Sequence, residues 1–221
     1  MIFGKIDYIN LLPFHFFLKQ SNMQNSFKKS IEYKRGIPSK INNRFLNRKV
    51  DAAFISSIKS TKKDIKTLPV GIVAQKKVKS VLVKEGDFKP DKASATSNVL
   101  ANILKTKGEV LIGDQALKEY IKAPENYIDL AEIWYNRYGL PFVFAVFCTN
   151  KYHKVYKKIA KQFVIKKIKI PGYLLEIYSK QRGISKKEIK EYLKLISYKI
   201  NRKEEKALKL FLKKARALGL N

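Results

Sequence analysis

The run Gly139-Leu140-Pro141-Phe142-Val143-Phe144-Ala145-Val146-Phe147 constrains this chain more than any other stretch. Seven of its nine residues are apolar, and Cys148-Thr149-Asn150 closes it. It is too short to span a membrane. A continuous β-prone run of this length predicts a strand covered on both faces. Pro141 cannot donate to a ladder, so it belongs at the strand's start or at a hinge. Upstream, Asp129 to Trp134 predicts a short helix, and downstream the chain turns into Lys-rich helix. The run therefore marks where the chain leaves one unit and enters another; the alternative is a core strand of a single domain.

With 221 residues the chain can bury a sizeable core, as one domain or two small ones. Apolar residues make up 45%, which fits a folded globular protein. The formal net charge is +29, from 47 basic and 18 acidic residues. Such a field favours nucleic acid or an anionic membrane. Only seven of the basic residues are Arg, however, and Arg is the better fork for bases and phosphates. The lysines are scattered over helix faces among Ile, Asn, Tyr and Phe. No specific nucleic-acid partner is expected; what survives is that a small anion is drawn in. The single cysteine, Cys148, excludes an internal disulfide and supplies no metal cluster. Met1 to Asp7 starts directly on a strand without a leader pattern, and no apolar run reaches spanning length. The expected compartment is the cytoplasm, with no membrane partner.

In chain order, Ile2 to Ile6 predicts a first strand and Phe14 to Lys19 a helix with Pro13 in its first turn. Asn10 falls where a strand's carboxyl end meets a helix start, the ligand edge of an open α/β sheet. Local evidence leaves it as a turn residue or a ligand contact. His15 reads as packed among aromatics. Ser26 to Lys34 predicts a second strand. Gly36 to Ser39 predicts a turn in which Ser39 caps a helix over Lys40 to Asn47. Val50 to Ile55 predicts a third strand, ending in Ser56-Ser57. Leu68 to Ala74 and Val78 to Val83 predict two more, with Ser80 inside the latter.

Ala93-Ser94-Ala95-Thr96-Ser97 precedes a helix on Val99, Leu100, Ile103 and Leu104. Clustered hydroxyls and free N–H groups at a helix start suit a carboxylate or phosphate. Ordinary capping needs only one hydroxyl. Glu109 to Asp114 predicts a strand with a carboxylate at its tip. Asp114 then caps the helix Gln115 to Ile121 or orients a ligand, and local evidence favours the cap. From Lys151 four helices are expected. Val155, Ile159 and Phe163 mark the first, and Pro171 opens the second. Ser185 with Glu188 is a capping box for the third, on Ile189, Tyr192, Leu193 and Ile196. The last carries Ala207, Leu208, Phe211, Leu212 and Ala215 before Gly219. These faces need a partner surface and carry no evident chemistry.

The alternation predicts two α/β lobes with a cleft between them: residues 1–79 with 148–221, and residues 80–147. Seven motifs in register carry a family resemblance. They are Tyr8-Ile9-Asn10-Leu11-Leu12-Pro13, Ile37-Pro38-Ser39, Lys79-Ser80-Val81, Ser94-Ala95-Thr96-Ser97, Leu111-Ile112-Gly113-Asp114-Gln115-Ala116-Leu117, Asp129-Leu130 and Gly139 to Ala145. Over essentially the whole chain they resemble the chorismate dehydratases of the futalosine route to menaquinone.

The resemblance implies a type II periplasmic-binding-protein fold used as a cytoplasmic lyase. It also implies conversion of chorismate to 3-[(1-carboxyvinyl)oxy]benzoate and water, without a cofactor or metal. Chorismate is a dianion, so Ser39, Ser56, Ser80, Ser94, Thr96 and Ser97 become candidate donors, and Phe142 joins the substrate-binding set. Asn10 is placed to hold the substrate or its leaving hydroxyl. The base is Asp114 or one of the substrate's own carboxylates, with the second preferred because the dianion brings the group with it. A dihydroxynaphthoate synthase-like sister enzyme calls for a His in the cleft, whereas this chain has only His15 and His153, both outside the motifs. A non-catalytic small-anion-binding protein and a basic nucleic-acid binder complete the alternatives.

Overall fold

In the computed structural model, which describes residues 1–62 and 64–220, the strands divide between two sheets. Strand β1 (Phe3–Ile6) is buried along its length and runs through a 3-10 turn at Ile9–Leu11 into α1 (Leu12–Gln20). Helix α2 (Asn25–Tyr33), strand β2 (Arg35–Gly36), helix α3 (Pro38–Leu46), β3 (Ala52–Ser56) and β4 (Lys66–Ala74) follow. The smaller sheet uses β5 (Val81–Lys84), β6 (Glu109–Ile112) and β7 (Ile128–Asp129), with helices α4 (Ala95–Leu104), α5 (Gly113–Lys122) and α6 (Leu130–Tyr138). Then come β8 (Phe142–Thr149), α7 (His153–Ile165), α8 (Gly172–Arg182), α9 (Lys186–Lys194), β9 (Ile196–Lys199) and α10 (Arg202–Ala217).

The larger sheet has the order β2-β1-β3-β8-β4-β9, the smaller β6-β5-β7. Strand β8 lies between β3 and β4, antiparallel to both, and every one of its residues is buried. That is the consequence of its unbroken apolar run: each face is covered by protein. Phe54 of β3 pairs with Phe147 in register, and their rings stack 5.2 Å apart. Phe14 of α1 and Tyr156 of α7 close over Phe147 edge-on.

The chain leaves the larger sheet after Ala74 and returns through Gly139–Pro141 into β8, which pairs with the larger sheet along its length. We propose lobes divided at these two crossings, with 1–79 and 148–221 on the larger sheet and Phe142–Phe147 joined to them by strand pairing. Helix α6 ties down both crossings. Its N-cap, Asp129, accepts backbone N–H bonds from Ala131 and Glu132 in its own first turn at 3.0 and 3.2 Å. The same carboxylate accepts from Val78 and Lys79 on the outgoing crossing at 2.9 and 2.6 Å. Trp134, farther along α6, donates its indole N–H to the Pro141 carbonyl on the returning crossing at 3.1 Å.

Several local expectations give way. Ser26 to Lys34 folds as helix α2, because Phe27 and Ile31 stand four apart on one buried stripe. Helix α3 opens at Pro38 with Ile37 at the cap position, so Ser39 lies in the first turn instead of capping. Ser80 precedes β5, since the Asp129 contacts hold Val78 and Lys79 outside the ladder. Helix α5 starts at Gly113, which puts Asp114 in its first turn and not at the cap. Ile196 opens β9 alongside β4 after α9 has ended at Lys194. Its β-branched and aromatic neighbours fit an edge strand better than another turn of helix. The capping box of Ser185 and Glu188 is present as expected. Among the described residues, no helix is long and apolar enough to cross a membrane.

Replacing Asp129 by Ala strips a cap and leaves two crossing N–H groups unsatisfied. The expected loss is about 3 kcal/mol or more, a fall in Tm of roughly 6–12 °C for a chain of this size. Differential scanning calorimetry measures it; an unchanged Tm would show that the crossings are held by other contacts.

Candidate active site

A cavity lies where the two sheets face each other. The larger sheet contributes Tyr8 and Asn10 beyond β1, Ser56 at the end of β3, and Phe144 and Ala145 of β8. The smaller contributes Ser80, Gly113 and, from the start of α4, Ser94 and Ser97. Strand ends and a helix start thus converge, as the open α/β architecture requires of a ligand crevice.

The serines are held so that hydroxyl hydrogens are left over. Asn42 of α3 donates its amide to Ser56 Oγ at 2.8 Å and accepts the Ser56 backbone N–H at 3.1 Å. Because Ser56 Oγ is already an acceptor there, its own hydrogen is free to serve the cavity it lines. At α4, Ser94 caps the helix by accepting Ser97 N–H at 3.2 Å, and it donates its hydroxyl to Ser97 Oγ at 2.7 Å. Ser97 is left with a donor of its own at a helix N-terminus, where backbone N–H groups and the helix dipole favour an anion.

Asn10 sits in the 3-10 turn after β1 with its backbone carbonyl accepting the Tyr198 hydroxyl at 2.6 Å. Its side-chain Oδ1 is buried and has no hydrogen-bond partner among the described residues. An unpaired buried amide oxygen costs stability, and here it belongs to a cavity-lining residue, where a ligand hydroxyl or amine would satisfy it. Beside it, Tyr192 of α9 lies within hydrogen-bond distance of Ser80 Oγ, at 2.8 Å. Tyr192, Tyr198 and Asn42 were not singled out from the sequence. The available signal was a tyrosine on an otherwise apolar helix face, because a buried phenol needs a polar partner.

The other expected site residues lie elsewhere. Thr96 is buried and accepts the Ile58 N–H at 3.3 Å, so it ties α4 to the larger sheet. Phe142 packs against Trp134 and Phe211 in the core, and the neighbouring Phe144 reaches the cavity instead. At α3 it is Pro38, not Ser39, that reaches the wall. His15 is buried edge-on to Phe3 and Phe14, and burial holds its pKa down to about 3. His153 meets Thr149 at the start of α7. Neither histidine lines the cavity. Among the described residues, no group of three His, Cys, Asp or Glu side chains is placed to hold a metal ion.

Asp114 stands behind the wall, next to Gly113. Its carboxylate accepts the Ile9 N–H at 2.9 Å and the Arg182 Nε–H at 2.8 Å, while Arg182 also reaches Asp7 at 3.2 Å. The smaller sheet's helix is thereby fastened to the loop that carries Asn10. Gly113 has φ +73°, and a Cβ there would come within 2.7 Å of the Tyr8 ring. Only glycine allows both the left-handed backbone and that contact. Burial pushes the Asp114 carboxyl up to about 6, against the opposing pull of the Ile9 N–H and Arg182.

A folded-state pKa above the ordinary 3.8 means that the protonated form is the one folding favours. Its contribution is complete below about pH 4 and is lost as pH rises through about 6. Ionising it inside the fold costs up to about 3 kcal/mol. Asp114→Asn removes that term. The difference in Tm, variant minus parent, should therefore move upward between pH 4.5 and 7.5. A flat or falling difference in a series of thermal melts would contradict the assignment.

Comparison with known proteins agrees with this architecture. The family described as menaquinone biosynthesis matches residues 1–105 and 85–217. A protein of Campylobacter jejuni subsp. jejuni serotype O:23/36 (strain 81-176), named chorismate dehydratase, is 50% identical over the full length of both chains. Among solved structures, a protein from Archaeoglobus fulgidus matches with a TM-score of 0.70 at 14% identity, covering 99% of this chain and 97% of that one. The alkanesulfonate-binding protein SsuA of Xanthomonas axonopodis pv. citri matches at 0.55 and 12% identity, over 100% and 93%. A Candida albicans protein with the generic periplasmic-binding-protein fold matches at 0.51 and 13% identity, over 98% and 94%. The fold is that of the periplasmic binding proteins, and the chain belongs to the menaquinone biosynthesis family.

Proposed function

We propose that this chain is a chorismate dehydratase, a cytoplasmic hydro-lyase of menaquinone biosynthesis that converts chorismate to 3-[(1-carboxyvinyl)oxy]benzoate and water. The full-length 50% identity to the Campylobacter jejuni protein of that name carries the reading. The geometry supports it through the kind of groups it offers. Chorismate carries two carboxylates, and the cavity presents neutral hydroxyl donors and a helix N-terminus to receive them. The net charge of +29 adds a field that draws a dianion in.

The reaction removes the proton from the ring carbon bearing the enol ether and the hydroxyl from its neighbour. The C–H electron pair becomes a ring double bond, the C–O pair leaves with the hydroxyl, and the proton completes the water. In this reading Ser97 and Ser56 hold carboxylates, and the Asn10 Oδ1 accepts the hydrogen of the substrate hydroxyl and fixes its position. Among the described cavity-lining residues Tyr8 is the one titratable side chain, and burial pushes its phenol up to about 12. It is a poor base at neutral pH. The base is therefore the substrate's side-chain carboxylate, held over the ring by the same donors, and the aromatic product supplies the driving force. The protein contributes placement.

Purified protein mixed with chorismate should yield, by mass spectrometry, a product lighter by one water, with the ultraviolet spectrum of a benzoate. Unchanged chorismate would refute the reading. Asn10→Ala should lower kcat on the order of 100-fold through misplacement of the ring. Ser97→Ala, losing one donor to a charged oxygen, should lower kcat/KM about ten- to a hundredfold. Steady-state kinetics separates the two; equal and negligible effects would place the substrate elsewhere.

A further inference from the structure

Four serines line the cavity, and two of them accept a hydrogen bond of settled sense from a buried neighbour. Asn42 donates to Ser56 Oγ, and Ser94 donates to Ser97 Oγ, so in each case the serine's own hydrogen is left for the cavity. A third, Ser80, has only a 2.8 Å contact with the Tyr192 hydroxyl, in which either oxygen is able to donate. Ser80 is otherwise fixed. Its carbonyl accepts the Gly113 N–H at 2.9 Å, and the preceding Val78 and Lys79 are pinned by Asp129. The hydroxyl rotor is the polar freedom left at this position, and the Tyr192 hydroxyl is the side chain in contact with it.

We propose that Tyr192 is a positioning residue whose hydroxyl donates to Ser80 Oγ and so aims the Ser80 hydrogen into the cavity, at a carboxylate of the substrate. The inference rests on the chorismate reading above and deepens it. Tyr192 arrives from α9, in the C-terminal helices, and is buried with Asn10 beside it. It acts only as a donor of direction: burial above all raises its pKa, so it does not ionise in the working range. With the opposite sense, Ser80 would spend its hydrogen on Tyr192 and offer the anion only lone pairs. A carboxylate facing Ser80 selects against that arrangement.

The test is a double-mutant cycle on the full chain with chorismate as substrate. Tyr192→Phe keeps the ring and removes the hydroxyl; Ser80→Ala removes the hydroxyl it orients. Tyr192→Phe should raise KM and lower kcat/KM about tenfold, and Ser80→Ala should lower it by at least as much. The double variant should match Ser80→Ala alone to within about twofold, because without Ser80 nothing remains to be aimed. Losses that multiply in the double variant would make Tyr192 structural and overturn the proposal. So would a Tyr192→Phe protein with parental kinetics, or one that fails to fold. A parent protein inactive on chorismate would overturn the proposal together with the functional reading, whereas the other outcomes leave that reading standing.

Discussion

One carboxylate holds the architecture in register. Asp129 accepts four backbone N–H groups, two from the first turn of α6 and two from the crossing that leads into the smaller sheet. A buried carboxylate is costly unless its lone pairs are occupied, and here they are occupied by groups that would themselves be orphaned without it. The arrangement couples a helix cap to a crossing between sheets. Trp134, farther along the same helix, secures the other crossing. One short helix thus contributes to the relative placement of the two sheets, and hence to the cavity between them.

What that placement positions is a set of neutral donors. Asn42, Ser94 and Tyr192 stand behind Ser56, Ser97 and Ser80, each occupying or contacting one oxygen. Such donors are fixed before a ligand arrives, so little reorganisation is needed when it binds. Asp114 and Arg182 add a fastening between the smaller sheet's α5 and the Asn10 loop. A buried ion pair of this kind contributes geometry more than stability, in keeping with the raised pKa of Asp114. The C-terminal segment backs the cavity wall: Arg182 of α8 holds Asp114, Tyr192 of α9 contacts Ser80, and Tyr198 of the following strand bonds the Asn10 carbonyl.

Much of this was legible in the residues. The apolar run of β8 could only be a doubly covered strand, and the serine cluster before α4 and the Asn10 turn stand at the cavity as patterning and motif resemblance together implied. What escaped were contacts between distant segments. Periodicity marks Tyr192 as a core position of α9, but its hydroxyl meets Ser80, 112 residues away, and no local pattern carries that distance. Phe142 lies within a motif yet packs into the core against Trp134 and Phe211, while Phe144, two residues along the same face and in ring contact at 4.7 Å, takes the cavity. Helix α2 was hidden because its two buried residues, Phe27 and Ile31, leave a stripe too thin to distinguish from alternation.

The central claim is that the protein places the substrate and the substrate supplies the base. A chorismate analogue whose side-chain carboxylate is replaced by the neutral amide tests this most directly, with binding measured by calorimetry and turnover by product formation at saturation. The account predicts an analogue that occupies the cavity, though more weakly, and is not dehydrated. Dehydration of the bound amide at the rate seen with chorismate would contradict it and require a base from the protein.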